Sequence, residues 1–160
     1  GSPREVYEQP ATIDVAKFIG SPRINILPGE AASDGRVSLA GHLTGEVAPR
    51  ASGPLQLGIR PEHLTLAAEG IAVGVRHVEF LGAEVLVYDQ TEAGGTPVIL
   101  RLDPAAWETA PSRESVRVAP LAGRLLAFDA GGTRIGLISA AAARQVQEPA
   151  PSLARVPRYV

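Results

Sequence analysis

The sequence predicts a mainly β fold: an OB-like barrel, or a pair of small barrels, with short N-terminal helices. Three observations carry this expectation. From Asn25 onward, apolar residues recur with period two, in runs of strand length. Gly-Gly pairs at 94–95 and 131–132 fall between such runs, where hairpins turn. Inside the longest run the apolar phase slips: Ile71, Val73 and Val75 share one face, while Val78 and Phe80 fall on the other. A slip of this kind marks a bulge near His77, and bulges supply the bend that a small barrel needs.

Taken in chain order, Ser2-Pro3-Arg4-Glu5 reads as a helix start. Ser2 can cap, Pro3 suits the first helical position and Glu5 completes a capping box. That turn must end before Pro10. A second short helix fits residues 12–19, closed by Gly20, with Val15, Phe18 and Ile19 as its buried stripe. It is too short to stand alone and has to dock. Strands are predicted over 36–40, 55–60, 63–66, 71–80, 84–89, 97–102, 115–119, 125–129 and 134–138. Trp107 falls in a loop after Pro104, and residues 139–147 fit a short Ala-rich helix. Residues 148–160 hold three prolines and no periodicity, which predicts a loose tail.

Composition narrows the function classes. The chain has 160 residues, enough for one domain or two small subdomains sharing a core. Net charge is −2 and the basic residues form no block, which argues against nucleic acid or an anionic membrane as partner. There is one Trp, with three Tyr and three Phe, too few for a base-stacking platform on a sheet face. Cys is absent, so disulfides and thiolate metal sites are excluded. No apolar run approaches the ~20 residues that span a bilayer, and no signal peptide is recognisable. The cytoplasm is the expected compartment by elimination. Met is also absent, which fits a processed or excised piece, with Gly1-Ser2 either native or a tag remnant.

Motifs of catalysis are missing. No glycine-rich stretch is followed by Lys-Ser/Thr, and Gly131-Gly132-Thr133 lacks the lysine that a phosphate loop needs. His42, His63 and His77 have no histidine partner at i+4, so a helical zinc pair is excluded. No G-x-S-x-G elbow occurs. The expectation is a non-enzyme with no cofactor of its own.

Four segments carry a family resemblance. They are Phe18-Ile19-Gly20-Ser21-Pro22 with Asn25; Leu57-Gly58-Ile59-Arg60-Pro61-Glu62-His63-Leu64; Val78-Glu79-Phe80-Leu81-Gly82-Ala83-Glu84; and Phe128-Asp129 with Gly132 and Arg134-Ile135. In this order and spacing, residues 1 to about 138 resemble the C-terminal region of maltose/glycerol-phosphate-type ATPase subunits of ABC importers. The resemblance implies an OB-type regulatory fold called the TOBE domain over 25–138. It implies linker or docking helices from an ATPase domain over 1–24, leaving a short helix and tail over 139–160. It also implies a parent that hydrolyses ATP at the cytoplasmic face of the plasma membrane, with ATP and Mg held by the ATPase domain. The implied partners are a second copy, the parent ATPase domain, the permease subunits indirectly and a regulatory protein. Asp14 and Ile26 depart from the family, which usually has aromatics there.

Within these segments, Arg60-Pro61-Glu62-His63 is the first candidate contact or regulatory loop. Pro61 pre-sets a turn between strands, and Arg60 and Glu62 either bridge each other to fix the corner or face a partner. Glu79 and Gly82 are the second candidate, either a tight barrel corner or a ligand or dimer contact. Trp107 is expected to plug the barrel end, not to stack on sugar. Three functions compete: a regulatory and dimerisation module, a sensor of a small oxyanion or sugar, and a single-strand nucleic-acid binder, which composition disfavours.

Overall fold

The structure, a computed structural model, describes residues 2–147. The proposed tail at 148–160 lies outside the described residues, as does Gly1.

Two short helices lead into the sheets. Helix α1 is Pro3–Glu8, and the Ser2 hydroxyl accepts the Glu5 N–H at its start, as the capping motif predicts. Helix α2 is Ile13–Phe18, capped by Thr12. Its buried face differs from the expected one: Ile13 and Ala16 are buried, whereas Phe18 is 90% exposed. The reason is the docking partner. The Ile13 N–H donates to Gly132 O and the Arg134 N–H to Ala11 O, so the turn at 129–133 fixes which side of α2 faces inward. Ile13, Ala16, Ile24 and Phe128 form a small satellite core there.

Eleven strands follow, in two antiparallel sheets. They are β1 Asn25–Ala31, β2 Arg36–Leu39, β3 His42–Val47, β4 Gly53–Ile59, β5 Leu64–Phe80, β6 Val85–Thr91, β7 Pro97–Leu102, β8 Ser115–Pro120, β9 Leu126–Phe128, β10 Arg134–Ile135 and β11 Ile138–Ser139. The first sheet runs β10-β9-β4-β1-β2-β3-β11 and the second β7-β6-β5-β8. They share one core, in which Leu27, Leu39 and Leu57 of the first sheet join Val73, Val87 and Leu100 of the second. The fold is thus mainly β, of curled OB-like sheets with short helices, as expected.

Strands β1 and β3 escaped the sequence pattern. In β1, Pro28 interrupts the pattern, and it sits where only β4 pairs alongside; pairing with β2 begins at Gly29. A residue without an N–H is tolerated at such a one-sided position. In β3, Thr44, Gly45 and Glu46 leave no apolar alternation.

The runs at 63–66 and 71–80 belong to one strand, β5, whose pairing with β8 slips between Leu66 and Ile71. At Gly70 in this bulge a Cβ would stand 2.3 Å from the Val118 carbonyl oxygen, so no side chain fits. The second slip falls between Val75 and His77, where the phase change predicted it. It returns Val78 to the core-facing side, opposite Val87.

Trp107 does not lie in a loop but in a third helix, α3, Pro104–Glu108, capped by Asp103, whose Oδ1 accepts the Ala105 N–H at 2.8 Å. A capping Asp before Pro at the first helical position makes a one-turn helix that periodicity is too short to register. Trp107 is 2% exposed within the main core, and the Arg113 guanidinium stands 5.0 Å over its ring. The chain then reaches α4, Ala140–Gln147, which follows the expected Ala-rich segment.

Candidate functional site

The Arg60–His63 corner joins the N-terminal helices to the sheets. Arg60 directly follows β4, and Pro61 restricts it to extended backbone (φ −66°, ψ 146°) before a single 3₁₀ turn, Pro61–His63. Leaving the strand in that direction, the Arg60 side chain turns inward and is only 3% exposed. Nη1 donates to the carbonyl oxygens of Ala16 at 3.1 Å and Ile19 at 2.6 Å, and Nη2 donates to that of Tyr7 at 3.0 Å. The guanidinium also lies 4.2 Å over the Tyr7 ring. One cation therefore satisfies carbonyls at the C-terminal ends of both helices, where a positive charge is electrostatically favoured. Burial holds Arg60 below its ordinary pKa, against the pull of Tyr7 and Glu62.

Arg60 and Glu62 do not bridge each other, as one sequence expectation had it. Glu62 accepts the Tyr7 hydroxyl and stands 3.9 Å from Arg101 of β7. Burial pushes the Glu62 carboxyl up, but the Tyr7 hydroxyl, its own backbone N–H, His63 and Arg101 outweigh it, so it sits below the usual carboxylate range. Burial raises the Tyr7 phenol, with Glu62 adding to the shift. Arg101 extends the network: Nη2 donates to Ser21 O at 2.5 Å, and Nε lies 3.1 Å from Glu84 in an ion pair that is not aligned as a hydrogen bond. Asn25 provides a further tie, its amide bonding both the N–H and the C=O of Ile99 on the edge strand β7, at 2.7 and 2.9 Å.

His63 sits at the outer lip of this corner, half-buried. Its backbone N–H donates to Arg60 O, and its carbonyl accepts the Leu121 N–H. Burial first, then Arg124 and Arg60, hold the imidazole below its ordinary pKa despite Glu62.

The second candidate pair lies elsewhere. Glu79 is near the end of β5 and accepts the Tyr88 hydroxyl at 3.0 Å, with the His77 ring beside Tyr88 at 5.7 Å. That hydrogen bond, then burial, raises the Tyr88 phenol. Gly82 turns the β5–β6 hairpin at φ +78°, and a Cβ there would meet nothing within 4 Å. Phe80 and Leu81 beside it are 68% and 51% exposed. Structure therefore brings Arg60, Pro61, Glu62 and His63 together and leaves Glu79 and Gly82 on a projecting hairpin. Among the described residues, the ion-pair chain Glu62–Arg101–Glu84 links the corner to the β5–β6 turn.

Tyr7 and Arg101 are parts of this network that residue patterns did not single out. Tyr7 lay inside the resembling N-terminal segment, but nothing local marked its hydroxyl as the partner of a residue 55 positions on. Arg101 is an ordinary alternating residue of β7. Among the described residues no group of three or more His, Cys, Asp or Glu converges as a metal site. Among the same described residues, no helix is long and apolar enough to cross a membrane.

A family model described as "TOBE domain" matches residues 57–128, from the middle of β4 to the end of β9. Curated relatives include three sn-glycerol-3-phosphate import ATP-binding proteins UgpC. That of Paracoccus denitrificans is 47% identical over 104 residues, 63% of this chain and 29% of its own length. That of Cereibacter sphaeroides is 40% identical over 132 residues, 81% and 36% respectively. That of Yersinia enterocolitica is 42% identical over 124 residues, 70% and 34%. The chain thus spans about a third of the length of the curated relatives it matches.

Proposed function

Since residues 57–128 are a TOBE domain with relatives among glycerol-phosphate importer ATP-binding proteins, we propose that this chain is the regulatory and dimerisation module of such a subunit. The transporter would be an ABC importer of a sugar, polyol or glycerol phosphate. ATP and Mg would be handled by an ATPase domain outside these 160 residues, and this module would act through contacts alone, at the cytoplasmic face of the membrane. Its partners would be a second copy, the parent ATPase domain, the permease subunits through that domain, and a regulatory protein.

The observation that supports this reading most directly is the clamp. Arg60, from one of the segments that carry the family resemblance and within the matched residues 57–128, binds the ends of both N-terminal helices. Residues 3–19, within the linker and docking segment 1–24, would thereby move with the sheets, and movement of an ATPase domain would be passed to the sheets through them. The outward hairpin, with Phe80 and Leu81, is the surface offered for pairing.

Sedimentation over a range of concentrations, with assay of ATP hydrolysis, tests the reading. The expected result is a concentration-dependent dimer, broken by Phe80→Ser with Leu81→Ser, and no turnover. A strict monomer at every concentration, or ATP turnover that survives repurification and depends on this chain, would contradict it.

A further inference from the structure

A cavity of about 310 Å³ lies between the β2–β3 hairpin and α4 and shares no lining residue with the Arg60–His63 corner. That volume is at the lower end of small-ligand sites, roughly 300–1,000 Å³. Val37, Leu43 and Ala143 give it apolar walls, and Leu43 is 70% exposed. Glu46 of β3 also lines it and is only 9% exposed. Its Oε1 accepts the Gly123 N–H at 3.1 Å, and no hydrogen bond among the described residues reaches Oε2. No ion pair among the described residues includes Glu46. The other charged residues at the cavity answer each other. Arg36 Nε stands 3.3 Å from Asp34, whose Oδ1 accepts the Arg36 backbone N–H at 3.1 Å. Among the described residues the cavity thus carries one unanswered carboxylate, largely shielded from water, beside an uncovered aliphatic surface.

A carboxylate withdrawn from water attracts a cation more strongly than an exposed one does. A metal ion would need several such ligands, and no group of three or more His, Cys, Asp or Glu that could hold one occurs among the described residues. An ammonium group needs fewer acceptors, and a methylene stem behind it can pack on apolar side chains. We propose that this cavity binds an aliphatic primary amine, with its ammonium group donating to Glu46 Oε2 and its stem covering Leu43 and Ala143. Glu46 is tied to the β8–β9 loop through Gly123, so an occupied cavity links that loop, the β2–β3 hairpin and α4. The inference is independent of pairing and of the transporter reading.

The test is titration calorimetry of the whole chain at pH 7.5 and constant ionic strength, with cadaverine, Nα-acetyl-lysine methylamide and 1,5-pentanediol as probes. Saturable one-to-one binding of an amine is expected, and none of the diol, which has the stem without the charge. Tighter binding of cadaverine identifies the source as a free amine, and tighter binding of the lysine derivative as a partner's side chain. Glu46→Gln should weaken amine binding about tenfold or more, the loss of one charge-assisted hydrogen bond. Its amide oxygen can still accept the Gly123 N–H. Leu43→Ser, on the exposed wall, is the second variant and should weaken binding about threefold with the melting temperature unchanged. Absence of saturable amine binding, equal binding of the diol, or affinity unchanged by Glu46→Gln and Leu43→Ser overturns the proposal.

Discussion

The corner at Arg60–His63 and the hairpin at Glu79–Gly82 look alike as sequence: each is a polar turn between apolar strands with a residue that shapes the backbone. In the folded chain they face opposite ways. Arg60 is 3% exposed and committed to three carbonyls, whereas Phe80 is 68% exposed and the space around Gly82 is open. One turn serves internal cohesion and the other is left exposed. What separates them is the company each keeps. A cation near two helix C-terminal ends finds acceptors that water would otherwise have to satisfy. A hairpin tip beyond the last paired residues finds none.

If that contrast is right, substitutions in the two turns should differ in kind. Arg60→Met keeps much of the buried stem but strands three carbonyls, and should cost roughly 3–5 kcal/mol in urea unfolding. A cost under about 1 kcal/mol would mean the clamp is dispensable.

Asp89 sharpens the comparison, because it is a buried carboxyl without a hydrogen-bond partner. It is 4% exposed on the core-facing side of β6, both carboxylate oxygens lack partners, and burial pushes its pKa from 3.8 up to about 8. A raised folded-state pKa contributes stability that is fully present below about pH 4 and is lost as pH rises through about 8. Asp89→Leu should therefore stabilise the chain at pH 8 by about 2–4 kcal/mol and flatten that decline, as read from denaturant midpoints across pH.

Glu62 has the opposite sign. Its pKa is lowered, so its contribution is present above the ordinary carboxylate pKa and is lost as pH falls through the depressed value. Tyr7→Phe removes the hydroxyl that supports it and should cost about 1 kcal/mol at neutral pH, shrinking toward zero in acid. A cost that is constant with pH would detach Tyr7 from Glu62.

The smallest stability effect is expected at the hairpin. Leu81→Ser should change the unfolding free energy by no more than about 0.5 kcal/mol while weakening self-association. Loss of stability there without loss of association would reverse the assignment of the two turns.

Legibility in the sequence followed the range of the interactions. Features set by a few neighbouring residues could be read: the Ser2 cap, the glycine-pair hairpins, and the bulge at the phase slip before His77. In the structure Asp89 continues the buried alternation of Val85 and Val87, and only the packed sheets show that nothing answers its carboxyl. Strand β1 hid behind Pro28-Gly29, and its identity depends on β4 lying alongside. The direction of Arg60 was beyond reach because its acceptors lie 41 to 53 positions earlier in the chain. Motif recognition marked the right corner without saying which way it faced.

The most direct test is amide hydrogen exchange across α1 and α2, compared between the native chain and Arg60→Met under conditions where both remain folded. The clamp predicts that the helix amides lose protection in the variant while those of β5 and β6 keep it. Equal helix protection in both proteins would contradict the claim that Arg60 holds these helices to the sheets.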